Sequence, residues 1–322
     1  MILTVTLNPA YDLIYWVKEI EQRGETQLSR AHRTHASAGG KGINVSIYLA
    51  SVGIENVAMG LIGGHTGRTI KRSLRDEGII TNFTWIEEET RSNVAILKKG
   101  QEDNPIEVNS KGPEIPKRAL DQLLEQYDTM LHRVSCVVLS GSLPPGVPQE
   151  MYQKLVKMAK DRNIRTIVNT GGKYVGPAAK AGPFLIKPDI RERKEVMGEK
   201  LTDSQSIIDV GNKILDFGTQ HVLLSHGLTG DILVSQDKNW NLEANRDQLE
   251  IKNRVGAGDC LIGGIVHQLE EGKSVPEAVK YGLAAGMASV QVYHKISRDV
   301  SLVQAQLNQI SLKEMKEGSY ES

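Results

Sequence analysis

The sequence predicts an α/β fold in which a mostly parallel sheet is covered by helices on both faces. Short runs rich in Val, Ile and Leu alternate with longer stretches that have the period of an amphipathic helix. The chain has 322 residues, 39% of them apolar, which is enough to bury a large core. We therefore expect one large domain over residues 1–322, with at most a small appendage.

The predicted strands are short apolar runs bounded by turn residues, and the predicted helices are the periodic stretches between and after them. The strands are residues 2–7, 56–60, 134–139, 165–169, 184–186 and 220–225. The helices are residues 41–52, 66–77, 116–129, 148–161, 202–217, 257–271 and 275–291. No internal repeat or low-complexity tract interrupts this order.

Two stretches, residues 12–36 and 82–110, alternate apolar and polar residues as half-buried strands do. Both fall where a loop would leave a strand of the main sheet. They predict a small second sheet at the carboxyl edge of the main sheet, where open α/β proteins bind ligands, and such a lid can exclude water. An edge extension used only for dimer contact is the alternative, and the two roles are compatible.

Composition excludes several classes of function. The 39 basic residues balance the 39 acidic residues, so no overall field would hold nucleic acid or a membrane surface. Cys136 and Cys260 are the two cysteines of the chain, far apart in sequence, which favours a reducing compartment and no zinc site. The first residues lack the features of a secretory signal, and we expect a cytoplasmic protein.

The segment from Arg254 to Asp259 reads RVGAGD and leads into a predicted helix. At a helix start, the N–H groups of Gly256, Ala257 and Gly258 can converge on an anion, and the helix dipole strengthens their attraction. Asp259, at the edge of this phosphate cradle, can accept a proton from an alcohol. The alternative is a tight turn in which Asp259 caps the helix.

A second glycine-rich segment, SAGGKGINV at residues 37–45, also opens a predicted helix. Gly39 and Gly40 permit close approach of a polyhydroxylated ligand, and Lys41 and Asn44 offer donors to hydroxyl or phosphate oxygens. A simple glycine-rich turn is the alternative.

Asp12 follows the first predicted strand, in the segment TLNPAYD. At that position a carboxylate can accept hydrogen bonds from two sugar hydroxyls. A cap or turn residue is the alternative.

Six segments together resemble the ribokinase-like PfkB sugar kinases and occur in that family's order. They are TLNPAYD at 6–12, SAGGKGINV at 37–45, TRSN at 90–93, SGSLPPG at 140–146, KPDIRE at 187–192 and RVGAGD at 254–259. TLNPA and SGSLPPG are similar to the hexose-phosphate branch, which includes tagatose-6-phosphate kinase and 1-phosphofructokinase.

The resemblance implies a ribokinase-like three-layer α/β/α sandwich with a small β-sheet lid, often shared in a homodimer, and ATP with Mg²⁺ as cofactors. It implies Asp259 as the catalytic base and Gly256, Ala257 and Gly258 as its anion hole. The sugar phosphate would contact Asp12, Gly39, Gly40, Lys41, Asn44 and Arg91, with Arg30 a further candidate. The nucleotide site would include Lys187, Glu192, Ser225, Gly227 and Gly230, and Glu192 would organise the magnesium through water.

Three positions depart from the family pattern. Asp189 stands for the usual Asn, Asn169 for the usual Asp and His226 for the usual Leu. Asp189 exchanges an amide for a carboxylate where phosphates and metal are expected, which alters magnesium binding or repels the nucleotide. The base and the anion hole are intact.

The predicted function is transfer of the ATP γ-phosphoryl group to a hydroxyl of a ketohexose phosphate, giving a bisphosphate. Tagatose 6-phosphate is the first candidate substrate and fructose 1-phosphate the second. Two different functions also fit these residues. One is a sugar-phosphate or nucleotide sensor without catalysis, and the second is a kinase for an unphosphorylated sugar or nucleoside.

Overall fold

A ten-stranded sheet forms the centre of the protein in a computed structural model that describes residues 1–24, 26–190, 195–226, 230–245 and 249–315. Seven strands run parallel to their neighbours, in the order β7 (Ile80–Ile86), β6 (Asn56–Gly63), β1 (Ile2–Thr6), β10 (Cys136–Ser140), β11 (Arg165–Gly171), β12 (Leu185–Asp189) and β15 (His221–His226). The six predicted strands are all among them, so the predicted α/β sheet is confirmed.

The sheet continues beyond β15 with three antiparallel strands. These are β16 (Gly230–Ser235), β17 (Asn239–Ala244) and β18 (Ile310–Met315). The sequence pattern does not predict them, because the apolar run of β16 covers only residues 232–234, and β17 and β18 are only half-buried.

Helices cover both faces of the sheet. They are α1 (Lys41–Ser51), α2 (Gly64–Asp76), α3 (Lys117–Met130), α4 (Met151–Lys160), α5 (Val175–Ala179), α6 (Ser204–Leu215), α7 (Ala257–Glu270), α8 (Val275–Val290) and α9 (Val300–Leu307). All seven predicted helices are present, with ends within about three residues of the predicted ones. In the described part of the chain, no helix is long and apolar enough to cross a bilayer.

The three layers follow from the alternation of side chains along the buried strands. On β1, Leu3 and Val5 point into a core shared with α3 to α6, whereas Ile2 joins a core shared with α1, α7, α8 and α9. Every residue of β1 is buried, as expected for a parallel strand covered on both faces. The second core contains Tyr48 of α1 and Ile262 of α7, so it fixes these two helices beside each other.

A second, four-stranded sheet stands off the carboxyl edge of the main sheet. Its order is β5 (Ala31–Gly39), β2 (Ala10–Val17), β8 (Ser92–Lys98) and β9 (Ile106–Asn109). Between β2 and β5 in the sequence, β3 (Glu21–Arg23) and β4 (Thr26–Leu28) form a hairpin. A separate antiparallel pair, β13 (Glu195–Val196) and β14 (Glu199–Lys200), follows β12 in the sequence.

The two segments predicted to form the lid differ in where they lie. Residues 12–36 fall in the second sheet and its hairpin, but the beginning of the segment 82–110 belongs to β7, which pairs with β6 in the main sheet. Only residues from β8 onward join the second sheet. Both kinds of strand are half-buried and alternate in polarity, so the pattern does not distinguish them.

Candidate active site

A cleft of about 540 Å³ lies between the carboxyl ends of the parallel strands and the second sheet. This is the edge where open α/β proteins bind ligands. Seven of the residues predicted for the site line it: Asp12, Gly40, Lys41, Asn44, Arg91, Gly256 and Asp259. Residues that are far apart in the sequence therefore meet at one cleft.

Asp259 lies in the first turn of α7 and is 7% exposed. Its Oδ2 accepts a hydrogen bond of 2.7 Å from Nδ2 of Asn44, on the neighbouring α1. The contact joins the two glycine-rich segments and holds the carboxylate at the wall of the cleft.

The turn before α7 requires glycine. Gly256 has φ of 91°, and a Cβ atom there would lie 2.7 Å from the carbonyl oxygen of Lys295. The N–H of Ala257 donates to Arg254 O at 3.3 Å. Within the described residues, the N–H groups of Gly256 and Gly258 have no partner in the protein, so two amides at this positive helix end are available to an anion.

Asp12 lies on β2 and is held by two donors. Asn93 Nδ2 donates to Oδ1 at 3.0 Å, and Lys295 Nζ donates to Oδ2 at 2.8 Å. The carboxylate lies directly against Gly39, where a Cβ atom would be 2.1 Å from Oδ2. Glycine at position 39 is therefore needed for Asp12 to reach the cleft.

Lys41, the first residue of α1, forms an ion pair with Asp189 at the end of β12. The two side chains are 24% and 18% exposed. This contact crosses the cleft from the predicted sugar side to the predicted nucleotide side, and it uses the carboxylate that replaces the family's usual amide.

Arg91 is anchored by main-chain oxygen atoms. Its guanidinium donates to Asn8 O at 3.0 Å, to Ser110 O at 2.5 Å and to Pro9 O at 3.4 Å. Burial lowers the pKa of Arg91, and the nearby Asp12 carboxylate opposes that shift. An arginine remains charged in proteins, so the cleft has a fixed, partly desolvated cation.

The described residues among those predicted for the nucleotide, Lys187, Ser225 and Gly230, are not among the residues that line this cleft. Lys187 Nζ, on β12, donates to Ser225 Oγ at 3.1 Å on β15, and Gly230 begins β16. Glu192 and Gly227 lie outside the described residues, as does the side chain of His226. On the side toward β12, the cleft is lined instead by Gly171, Gly172, Lys173, Asp189 and Glu195.

Several buried oxygen atoms at the cleft have no hydrogen-bond partner in the described part of the protein. They are Thr6 Oγ1, Asn8 Oδ1, Asn44 Oδ1 and Asn93 Oδ1, and all four residues line the cleft. An unpaired buried acceptor is costly, so these atoms favour hydrogen-bond donors from water or a ligand beside them. Several hydroxyl groups on one small molecule satisfy that requirement.

Sequence reasoning missed Lys295, Asn93 and Asn8 as residues of the site. Asn8 and Asn93 lie within the TLNPAYD and TRSN segments, so the motifs could have identified them, whereas Lys295 lies in no motif.

Two other side chains lie outside the catalytic cleft. Arg30 is exposed between β4 and β5 and is not among the residues that line the cleft. Burial raises the pKa of Cys260 to about 12, so this thiol is a packing residue.

A carboxylate beside available amides at a helix start, facing a polar cleft with cationic side chains, defines a phosphotransferase that acts on a polyol. The chain belongs to the pfkB family carbohydrate kinases, whose model matches residues 5–299. It is therefore an ATP-dependent sugar kinase, and the non-catalytic sensor function is set aside.

Curated relatives and solved structures agree with this assignment. The chain is 34% identical over 289 residues to the 1-phosphofructokinase of Bacillus subtilis, covering 90% of this chain and 92% of the relative. It is 31% identical over 313 residues to the D-tagatose-1-phosphate kinase of Bacillus licheniformis, covering 97% and 99%. The crystal structure of a possible 1-phosphofructokinase from Thermotoga maritima superposes with a TM-score of 0.90 at 28% identity, covering 98% and 100%.

Proposed function

We propose that this protein transfers the γ-phosphoryl group of ATP to the 6-hydroxyl of a ketohexose 1-phosphate, giving a ketohexose 1,6-bisphosphate and ADP. The observation that carries the proposal is Asp259, held by Asn44 beside the available amides of Gly256 and Gly258. A carboxylate and an anion site thus lie next to each other at the wall of a cleft that also carries unpaired oxygen acceptors.

The reaction proceeds as an in-line displacement. The acceptor oxygen forms a bond to the γ-phosphorus, the bond from that phosphorus to the ADP oxygen breaks, and the hydroxyl proton passes to Asp259. Because such transition states are loose, positioning and charge stabilisation supply most of the catalysis. The N–H groups of Gly256 and Gly258 stabilise negative charge on the oxygen atoms of the transferred phosphoryl group. Ala257 stabilises the turn between them through its N–H bond to Arg254 O.

The sugar phosphate is recognised from the second sheet and α1. Asp12 and the unpaired oxygens of Asn44 and Asn93 accept hydrogen bonds from sugar hydroxyls. The existing phosphate binds Arg91 and Lys41, two cations that line the same cleft. Gly39 leaves room for the Asp12 carboxylate, and Gly40 lies at the wall of the cleft.

The nucleotide binds on the side of β12 and β15. In this proposal Lys187, Ser225 and Gly230, with Glu192 and Gly227, form the ATP site. Magnesium is held in proteins by one or two carboxylates together with phosphates and water. The Asp189 carboxylate lines the cleft and could bind the ion directly, and Glu192 would bind it through water. The bound ion would neutralise charge on the phosphates.

The proposal also specifies which carbon of the ketohexose carries the existing phosphate, C1 or C6. The TLNPA and SGSLPPG segments favour the hexose-phosphate branch, for which tagatose 6-phosphate is the first candidate from sequence. Two relatives that share about a third of their residues are named for a 1-phosphate, one of fructose and one of tagatose. These names favour a 1-phosphate, and tagatose 6-phosphate becomes the second candidate.

A homodimer formed through the second sheet is also proposed. The register aligns Leu13, Val94 and Val108 in one row and Tyr15, Ile96 and Ile106 in the next, on one face of the sheet. Val108 is 61% exposed and Ile106 is 49% exposed. An apolar face of this kind favours contact with a second copy of the same sheet.

Steady-state kinetics with MgATP test the substrate directly. Fructose 1-phosphate, tagatose 1-phosphate, tagatose 6-phosphate and fructose 6-phosphate are compared by coupled ADP release, and the products are identified by ³¹P NMR. We expect the highest kcat/KM with one of the 1-phosphates. A preference for a 6-phosphate would contradict the proposed position of the phosphate, and no ADP release with any of the four would contradict the proposed function.

A further inference from the structure

Lys295 has a buried ammonium group that touches the sugar side of the site. It lies in the segment between α8 and α9, and its side chain is 3% exposed. Its Nζ donates to Asp12 Oδ2 at 2.8 Å and to Ala38 O at 2.7 Å. Because a buried ammonium is costly unless it is paired, these two acceptors determine where it lies.

The lysine leaves Asp12 able to bind a ligand. Each oxygen of an ionised carboxylate can accept about two hydrogen bonds. Oδ2 uses one on Lys295, and Oδ1 uses one on Asn93. Asp12 is therefore fixed in one orientation and retains acceptor capacity on both oxygens.

The main chain of Lys295 packs against the other half of the site. Its carbonyl oxygen lies 2.7 Å from the position that a Cβ atom would take on Gly256. The same oxygen accepts a hydrogen bond from the thiol of Cys260, at 3.7 Å. The residue is therefore in contact with the turn that begins α7 and precedes Asp259.

We propose that Lys295 is a positioning residue that connects the sugar-binding carboxylate of Asp12 to the N-terminus of α7. The inference rests on the proposed function. Its side chain fixes Asp12 and the end of β5 at Ala38, and its main chain packs against the turn at Gly256. The acceptor sugar and the base are thereby held at a constant separation, although Lys295 does not line the catalytic cleft.

The first test is Lys295→Met, which keeps the length of the side chain and removes the charge. We expect KM for the sugar phosphate to rise by about 10- to 100-fold, by analogy with the loss of residues that orient metal ligands. KM for ATP should stay within about twofold, because the side-chain contacts of Lys295, which the substitution removes, are on the sugar side. Lys313→Met, on β18 at the far edge of the main sheet, is the matched control and should leave both constants unchanged.

A double-mutant cycle separates positioning from a general loss of structure. Asp12→Asn should raise the KM for the sugar phosphate, and adding Lys295→Met to it should raise that KM by no more than about twofold, because the residue that the lysine orients is already altered. If Lys295→Met alone fails to fold, comparing Asp12→Asn with the double variant still tests the positioning role, because the double variant removes both buried charges.

Two results would overturn the inference. One is a sugar-phosphate KM for Lys295→Met within about twofold of the wild-type value. The other is a tenfold or larger loss when Lys295→Met is added to Asp12→Asn, which would show that the two residues act independently. If the wild-type enzyme phosphorylates none of the sugars, the proposed function fails separately. In that case the free energy of unfolding in urea is measured for the wild type, Lys295→Met, Asp12→Asn and the double variant. Non-additive changes in this free energy would support the coupling of Lys295 to Asp12, and additive changes would contradict it.

Discussion

Individual side chains in the cleft have two tasks, to hold each other and to hold a ligand. Asn44 and Asn93 show this most clearly, since each donates its amide N–H to a carboxylate and leaves its Oδ1 without a partner in the described residues. Both amides therefore orient an acid, Asp259 or Asp12, and in the proposed function their Oδ1 atoms accept hydrogen bonds from sugar hydroxyls. Arg91 is similar, because carbonyl groups fix its guanidinium at the cleft.

Arg91→Ala tests whether this guanidinium binds the existing phosphate. Removing one partner of a desolvated charge pair costs about 2 to 5 kcal/mol, so KM for the sugar phosphate should rise by about 30-fold or more. KM for ATP should change little. The measurement is steady-state kinetics together with the inhibition constant of the corresponding unphosphorylated ketohexose.

The unphosphorylated sugar separates phosphate binding from the structural role of Arg91. Its inhibition constant should be unchanged in Arg91→Ala, and an equal loss for both sugars would contradict phosphate recognition. Arg162→Ala is the matched control, since Arg162 also donates to a carbonyl, that of Met158, but is not among the residues that line the cleft.

At the scale of secondary-structure elements, a contact between α1 and β12 crosses the cleft. Lys41 and Asp189 join the start of the helix to the end of the strand. A phosphate that binds Lys41 has to compete with this carboxylate, and Asp189 also repels the phosphates of a nucleotide that carries no metal. The departure from the family's usual Asn therefore has a direct structural consequence.

Asp189→Asn should strengthen binding of ATP in the absence of divalent metal. Loss of a partly exposed charge contact is worth about 1 kcal/mol, which corresponds to about fivefold in Kd. The same change replaces the proposed carboxylate ligand by a neutral amide oxygen, a weaker magnesium ligand, so more Mg²⁺ should be needed for half-maximal turnover. Calorimetry in EDTA measures the first effect, and a magnesium titration of activity measures the second.

The control for Asp189→Asn is Asp128→Asn, which breaks the ion pair with Arg162 outside the cleft. Metal-free ATP binding equal to or weaker than that of the wild type would contradict the role given to Asp189.

The elements that the sequence predicts well are those whose pattern is local. Strands such as Ile2–Thr6 are continuous apolar runs, and α7 follows an evident glycine-rich start. The strand Ile80–Ile86 is misassigned in part to the lid, because a half-buried edge strand has the same alternation in either sheet. Lys295 escapes prediction because its partner Asp12 is 283 residues away, and a single lysine carries no periodicity.

On the scale of the whole molecule, the second sheet is both part of the site and part of the proposed dimer. Its strand β2 carries Asp12, and a small apolar cluster of Ile14, Trp16, Ala95 and Leu97 packs against Val255. Trp16 Nε1 also donates to Lys252 O at 2.9 Å. A partner copy on the apolar face of this sheet would therefore stabilise the sugar side of the cleft.

Replacing both Ile106 and Val108 by Asp should convert a dimer into a monomer, because two carboxylates would be buried without partners in the interface. The sugar-phosphate KM should rise at the same time, whereas the ATP KM should not. Light scattering after size-exclusion chromatography measures the mass. Val300→Asp, at a residue 56% exposed on α9, should leave the mass unchanged. A monomeric wild-type protein, or a dimeric double variant, would contradict this interface.

The central claim is that Asp259 accepts the proton of the sugar hydroxyl as the phosphoryl group is transferred. The most direct test is the turnover of Asp259→Asn with both substrates at saturation, after circular dichroism and thermal unfolding have shown that the variant is folded. The loss of the base should lower kcat by a factor on the order of 10² to 10⁴ with a similar KM for ATP. A folded variant that turns over at a rate near that of the wild type would contradict the claim.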